Sequence, residues 1–188
     1  MKNLLLATAT VATLQLSLAN DAEAAQIKKV NFTSNNQNLV GNLYLPDDYQ
    51  EETKLPGVVV TGAWTTVKEQ MPATYAEELA DRGYAVLAFD FRNWGESGGK
   101  ERQLENPANK TQDIIAAANY LTTRSEVDGN KIAGLGICAS AGYMADAAVQ
   151  SEDIKAIALV APWLHNREIV NEVYSGAESV QSLIDTSR

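Results

Sequence analysis

From Pro56 onward, short and almost wholly apolar runs alternate with amphipathic stretches. "PGVVVTG", "YAVLAFDF", "KIAGLGI" and "IKAIALVAP" show little polar alternation, as expected of parallel strands buried on both faces. Helix-period segments lie between them. "PATYAEELADRG" opens at Pro72, puts Tyr75, Leu79 and Arg82 on one face, and stops at Gly83. "NPANKTQDIIAAANYLTTR" aligns Ile114, Ile115, Ala118 and Leu121, and "SAGYMADAAVQ" is the next helix. Upstream, "IKKVNFTS" and "LVGNLYLP" flank the turn-forming "NNQN" and predict a hairpin. Downstream, the tail reads as two helical segments broken at Gly176. Alternation of this kind implies right-handed crossovers. The expected fold is α/β: a mostly parallel sheet of about six strands, helices on both faces, and an N-terminal antiparallel hairpin.

Composition narrows the class. The chain has 188 residues, 45% hydrophobic and 21% charged, which suits one globular domain with a real core. A formal charge of -9 argues against nucleic acid and anionic lipid as partners. "MKNLLLATATVATLQLSLANDAEA" has Lys2, an uncharged run and then Ala22-Glu23-Ala24. That is the layout of a secretory signal, so residues 1–24 are expected to be removed on export to the periplasm or beyond. Residues 25–188 then form the working domain, with no membrane insertion after signal removal. Export also suits a chain with one cysteine, which has no intramolecular disulfide partner.

That cysteine, Cys138, sits where a buried strand gives way to a helix, in "GICASAG". A nucleophile at such a turn needs small residues two before and two after it. Gly136 and Ser140 satisfy this for Cys138; Cys138 and Gly142 satisfy it for Ser140. Strand register favours Cys138, because the apolar run ends at Ile137 and Ser140 falls on the first helical turn, a capping position. A helix N-terminus also stabilises a thiolate through its macrodipole and free N–H groups. The oxyanion donors would be the backbone N–H of Ala139 and one from "TGAWTTVKEQ", Ala63 or Trp64, where Gly62 lets the chain turn toward the site.

"GICAS" at an elbow, "VVVTGAWTTVKEQ" after the third strand and "FDFRNWGESGG" after the fourth together resemble the α/β-hydrolase fold. Within it they are similar to dienelactone-hydrolase-like and related bacterial esterase-type members. The last of these is similar to the D-x-R-G-x-G-x-S signature of that group, carried here by Asp90, Arg92, Asn93, Gly95 and Ser97. The resemblance implies hydrolysis of an ester, lactone or similar acyl bond on a small-molecule substrate, with no cofactor. It makes Asp90 and Arg92 braces of the loop beside the site. Two departures matter: cysteine replaces the commoner serine, and Thr61-Gly62 stands for the usual His-Gly. Glu69, Glu96 and Glu101 read as solvated loop residues.

The resemblance also implies a triad in the order nucleophile, acid, histidine. His165, after the sixth strand in "APWLHNREI", is the single histidine and the candidate base, with Trp163 as a pocket neighbour. Asp153 lies at the opposite sheet edge, and Asp185 is the last aspartate. No zinc site can be built from one cysteine and one histidine. "IKAIALVAP" reads as an interior strand, so the sequence is expected to be the N-terminal two-thirds of a hydrolase whose acid and histidine come later. An open edge would otherwise invite self-association.

Overall fold

The structure, a computed structural model, describes residues 25–186. The secretory-signal reading of residues 1–24 lies outside them. β1 (Gln26–Ser34) and β2 (Gln37–Leu45) form the hairpin, with Ser34 opposite Gln37. The linking residues Asn35 and Asn36 have φ of 45° and 62°. Two successive left-handed residues make a type I′ turn, which asparagine tolerates well. The expected four-residue turn is therefore only two residues long, because Gln37 and Asn38 join the ladder.

The chain continues through β3 (Leu55–Thr61), α1 (Met71–Ala80), β4 (Ala85–Phe89), α2 (Pro107–Thr122) and β5 (Val127–Ile137). It ends with α3 (Ala139–Gln150), β6 (Ile154–Val160), α4 (Arg167–Val173) and α5 (Ala177–Thr186). The sheet order is β1-β2-β4-β3-β5-β6. The β4-β3, β3-β5 and β5-β6 pairings are parallel, while β1-β2 and β2-β4 are antiparallel. Crossover helices cover both faces, as the alternation implied.

Successive residues of a strand point to opposite faces, which divides the core in two. Val58 and Val60 pack with Ala76 and Ala80 of α1. Val59 and Leu87 pack with Ile114 and Leu121 of α2 and Met144 of α3. Each fully buried valine or leucine contributes about 1.5–3 kcal/mol. The buried face of α1 is Pro72, Ala76 and Ala80, not the expected Tyr75, Leu79 and Arg82. Alanine at the contact lets the helix lie close to the sheet. Tyr75 and Leu79 flank it half-buried, and Arg82 lies past the helix end, paired with Glu78 at 2.7 Å.

Glu126 closes the far edge of the sheet, buried beside Lys28 at 3.1 Å and Arg124 at 3.3 Å. Burial alone would raise its carboxyl. Its own backbone N–H, Lys28 and Arg124 outweigh that and lower it to about 2. A depressed carboxylate contributes stability that is present above its unfolded value and lost as pH falls through its folded one. Unfolding free energy should therefore decline between about pH 4.5 and 2. Denaturant titrations across that window should show a shallower decline in Glu126→Gln.

The last elements are open. α4 and α5 contain no buried residue among those described. β6 pairs with β5 on one side and has no strand on the other among the described residues. Ile157 and Leu159 on β6 are 39% and 37% exposed. The tail breaks at Gly176, whose φ of 104° favours glycine.

Candidate active site

β5 delivers the chain to Cys138, and α3 starts at the next residue. Cys138 has φ 57° and ψ −119°, a conformation that costs a non-glycine residue about 1–3 kcal/mol. Neighbouring backbone holds it there. Its N–H donates to the Val160 carbonyl at 3.0 Å, and its carbonyl accepts from Trp163 N–H at 3.0 Å and Ala141 N–H at 3.1 Å. A strained strand-to-helix turn at Cys138, two residues before Ser140, agrees with the register expected from the sequence.

The small-residue requirement has a direct cause. A Cβ added at Gly136 would lie 2.8 Å from the Ser140 carbonyl oxygen and 2.9 Å from Ala141 Cα. Both are backbone atoms of α3 and cannot swing aside. Gly136→Val should cost about 1–3 kcal/mol in urea unfolding and move the elbow. Ser140 does not cap α3 as expected. It is buried, and its hydroxyl donates to the Gly62 carbonyl, tying the helix start to the loop after β3.

That loop carries Ala63 and Trp64, and Ala139 stands beside it at the start of α3. Ala139 is the first residue of α3, so its N–H has no partner within the helix. Ala63 and Trp64 follow β3, and neither N–H is engaged in a turn or loop hydrogen bond among the described residues. Thr66 fixes the loop by donating to the Ala63 carbonyl, from its hydroxyl at 2.7 Å and its N–H at 3.3 Å. Gly62 is needed for space, not for conformational freedom: a Cβ there would come within 2.8 Å of Pro72 Cγ. Thr61, at the position of the family's usual histidine, is buried, and its hydroxyl donates to the Leu135 carbonyl at 3.4 Å.

A buried ammonium anchors the other end of the same loop. Lys68 is 1% exposed, with Nζ 2.9 Å from Asp90, 2.6 Å from Glu96 and 2.5 Å from Glu69. Asp90 also accepts the N–H groups of Lys68 at 2.8 Å and Glu96 at 2.9 Å. Burial disfavours the Lys68 charge, yet its three carboxylate partners push its proton affinity above the ordinary lysine value. Lys29 and Lys68 hold the Glu96 carboxyl down at about 2. Arg92 braces the next turn against α2, donating to Asp113 from Nε at 2.9 Å and from its guanidinium end at 2.5 Å. The bracing roles of Asp90 and Arg92 are thus visible contact by contact. Glu101 is solvated as expected; Glu69 and Glu96 are not simply so, because both are engaged by Lys68.

A cavity of about 670 Å³ opens beside the elbow, lined by Trp64, Glu105, Ala139, Tyr143, Trp163 and His165 among others. It lies beyond the carboxyl ends of the parallel strands, the usual ligand position in open α/β sheets. Half-buried Cys138 does not itself line it; it packs toward the α1 side of the core. His165 stacks edge-on against Trp163 with ring centroids 4.8 Å apart. No hydrogen bond joins His165 to Cys138 among the described residues. The structure therefore brings His165 to the mouth of the site without placing it on the thiol. Asp153 precedes β6 at the opposite sheet edge, and Asp185 accepts from Gln181 within α5 at 2.9 Å.

Sequence reasoning missed Lys68 and the polar group of Glu105, Lys110 and Tyr143 at the cavity. Glu105 accepts from Tyr143 at 2.8 Å and from buried Lys110 at 2.7 Å. Burial lowers Lys110, against the pull of Glu105, and raises the Tyr143 phenol, with Glu105 adding to the rise. Among the described residues no group of three or more His, Cys, Asp or Glu could hold a metal ion. No described helix is long and apolar enough to cross a membrane.

This sheet order, the strained elbow at the end of β5 and the cavity above it define an α/β hydrolase. The chain belongs to the family described as X-Pro dipeptidyl-peptidase (S15 family), whose model matches residues 36–182. It is 45% identical over 136 residues to the uncharacterized protein YcjY of Escherichia coli K12, covering 71% of this chain and 44% of that one. It is 30% identical over 146 residues to the thiohydrolase aneE of Aspergillus aculeatus, covering 77% of this chain and 44% of that one. The crystal structure of hypothetical protein PA2218 from Pseudomonas aeruginosa superposes with a TM-score of 0.77 at 29% identity, covering 86% of this chain and 51% of that one. A dienelactone hydrolase-like promiscuous phosphotriesterase, P91 from metagenomic libraries, matches in fold, with a TM-score of 0.62 at 24% identity over 74% of this chain and 60% of that one. The chain spans under half the length of these two curated relatives.

Proposed function

We propose that this chain carries the nucleophile of an acyl hydrolase acting on a small-molecule ester, thioester or lactone. Cys138 attacks the carbonyl carbon, forming a thioester; the thiol's proton passes to the departing oxygen or sulfur, which leaves as an alcohol or thiol or, from a lactone, stays on the acyl chain as a hydroxyl. Ala139 N–H, with Ala63 or Trp64 N–H, stabilises the tetrahedral oxyanion. Water then cleaves the thioester, and a histidine, His165 or one supplied from outside these residues, moves the proton. The observation that carries the reading is the backbone of Cys138, φ 57° and ψ −119°, held at the strand-to-helix turn by Val160 and Trp163. Strain of this kind persists only where the surroundings over-determine it. The thiohydrolase relative supports thioesters as a substrate class.

A second reading rests on the histidine geometry. With no hydrogen bond from His165 to the thiol, the domain could serve as a binding module that keeps the cavity without turnover. One experiment separates the two. Cys138 is the only cysteine, so iodoacetamide alkylates a single thiol. Hydrolysis of a chromogenic short-chain acyl thioester should exceed the blank before alkylation and fall to it afterwards. Unchanged hydrolysis by the alkylated protein would refute the nucleophile; a rate equal to the blank throughout would favour the binding module.

A further inference from the structure

The polar groups of the cavity are divided by element. Trp64, Trp163 and His165, from the loops after β3 and β6, bring ring N–H groups to it. Glu105, before α2, and Tyr143, on α3, form another part of its wall. Hydrogen-bond accounting there is one-sided. Tyr143 donates its single phenolic proton to Glu105 Oε1 at 2.8 Å, and Lys110 Nζ donates to Glu105 Oε2 at 2.7 Å. A carboxylate has roughly four acceptor positions and a phenol keeps an oxygen lone pair. What remains at this wall can accept and cannot donate.

The wall is also close to electrically neutral. Lys110 is 4% exposed and lies over the rings of Phe91, Trp94 and Tyr143, at 4.6, 5.1 and 5.8 Å from their centroids. Its charge offsets that of Glu105, whose side chain is 19% exposed. A second cation brought to Glu105 would meet Lys110 at short range. Asp146, on α3, also lines the cavity but is exposed, so water and salt screen it.

We propose that the Glu105–Tyr143 wall selects acyl groups bearing a neutral hydrogen-bond donor, a hydroxyl on the acyl chain, over isosteres with a methyl in its place. The proposal rests on the acyl-hydrolase reading for the orientation of the substrate, carbonyl toward the elbow and chain toward the wall. Glu105 is half-buried, and a substrate methyl that displaces water from it leaves its remaining lone pairs without a donor.

Binding can be measured apart from turnover, in Cys138→Ala, through quenching of the fluorescence of Trp64 and Trp163. The probes are methyl esters with a hydroxyl at C3, C4 or C5, each paired with the isostere carrying methyl there. At least one hydroxy ester should bind about tenfold tighter than its partner and tighter than the corresponding ammonium ester. The preference should survive Tyr143→Phe, which leaves the carboxylate in place. It should vanish in Glu105→Met combined with Lys110→Met, which removes acceptor and buried cation together and keeps the volume apolar. Equal affinity for every hydroxyl and methyl pair, tighter binding of the ammonium ester, or a preference that outlives the double variant would overturn the proposal. Turnover that survives Cys138→Ala would overturn the nucleophile and leave these binding results standing.

Discussion

Cys138→Ala should lower hydrolysis of a chromogenic short-chain acyl ester by about 10³-fold or more, to near the blank. The loss is expected in kcat, because the cavity is lined by residues other than Cys138 and the substrate still enters. Circular dichroism and urea unfolding should show a folded protein: the substitution removes one half-buried sulfur and relaxes nothing in the hydrogen bonds to Val160, Ala141 and Trp163, which are backbone. Cys138→Ser is the more informative partner. A free thiol is a few per cent ionised at neutral pH, whereas a serine hydroxyl needs a base to attack at all. Residual activity of the serine variant, and its loss on adding His165→Ala, would identify His165 as the base. A serine variant as inactive as alanine would place that base outside these residues.

The largest effect on stability is expected from Lys68→Met. Removing one partner of a buried pair leaves the other charge uncompensated, typically at 3–5 kcal/mol. Here Asp90 would keep the N–H groups of Lys68 and Glu96, and Glu69 and Glu96 are half-exposed, so about 3 kcal/mol is the expected loss. For a domain of this size that is roughly a 10 °C fall in melting temperature. Activity should fall too, since the loop carrying Ala63 and Trp64 is tied down by Ser140 at one end and Lys68 at the other. Lys68→Met combined with Asp90→Asn removes both charges and should recover part of the stability. If Lys68→Met unfolds at the same urea concentration as the parent, the ammonium is not the anchor described here.

The apolar runs made the sheet legible: Val58 to Val60 and Ala85 to Phe89 have no polar residue to confuse the period. The elbow was legible for the same reason, since an apolar strand that ends at Ile137 leaves one residue to turn on. The buried face of α1 was not, because Pro72, Ala76 and Ala80 are too small to register as a hydrophobic stripe beside Tyr75 and Leu79. Lys68 was hidden more deeply. A lysine in a polar loop reads as solvated, and only the tertiary approach of Asp90, Glu96 and Glu69 makes its burial tolerable. The Glu105–Lys110–Tyr143 group draws on a loop and two helices, with Glu105 and Tyr143 38 residues apart in sequence, so no local pattern announces it. A faint signal existed in Phe91 and Trp94, aromatic residues in a loop with a lysine facing them across the fold. His165 was placed at the right edge by strand order, yet adjacency of strands does not fix the reach of a side chain.

The acyl group is expected to pass through the thiol at the elbow. Rapid acid quench of the protein with p-nitrophenyl butyrate, followed by trypsin digestion and fragmentation mass spectrometry of the 132–155 peptide, tests it most directly. That peptide carries both Cys138 and Ser140. A butyryl group is expected on Cys138, released by neutral hydroxylamine as thioesters are, and absent from Cys138→Ala. A butyryl group on Ser140, or turnover above the blank with no acyl group on this peptide, would contradict it.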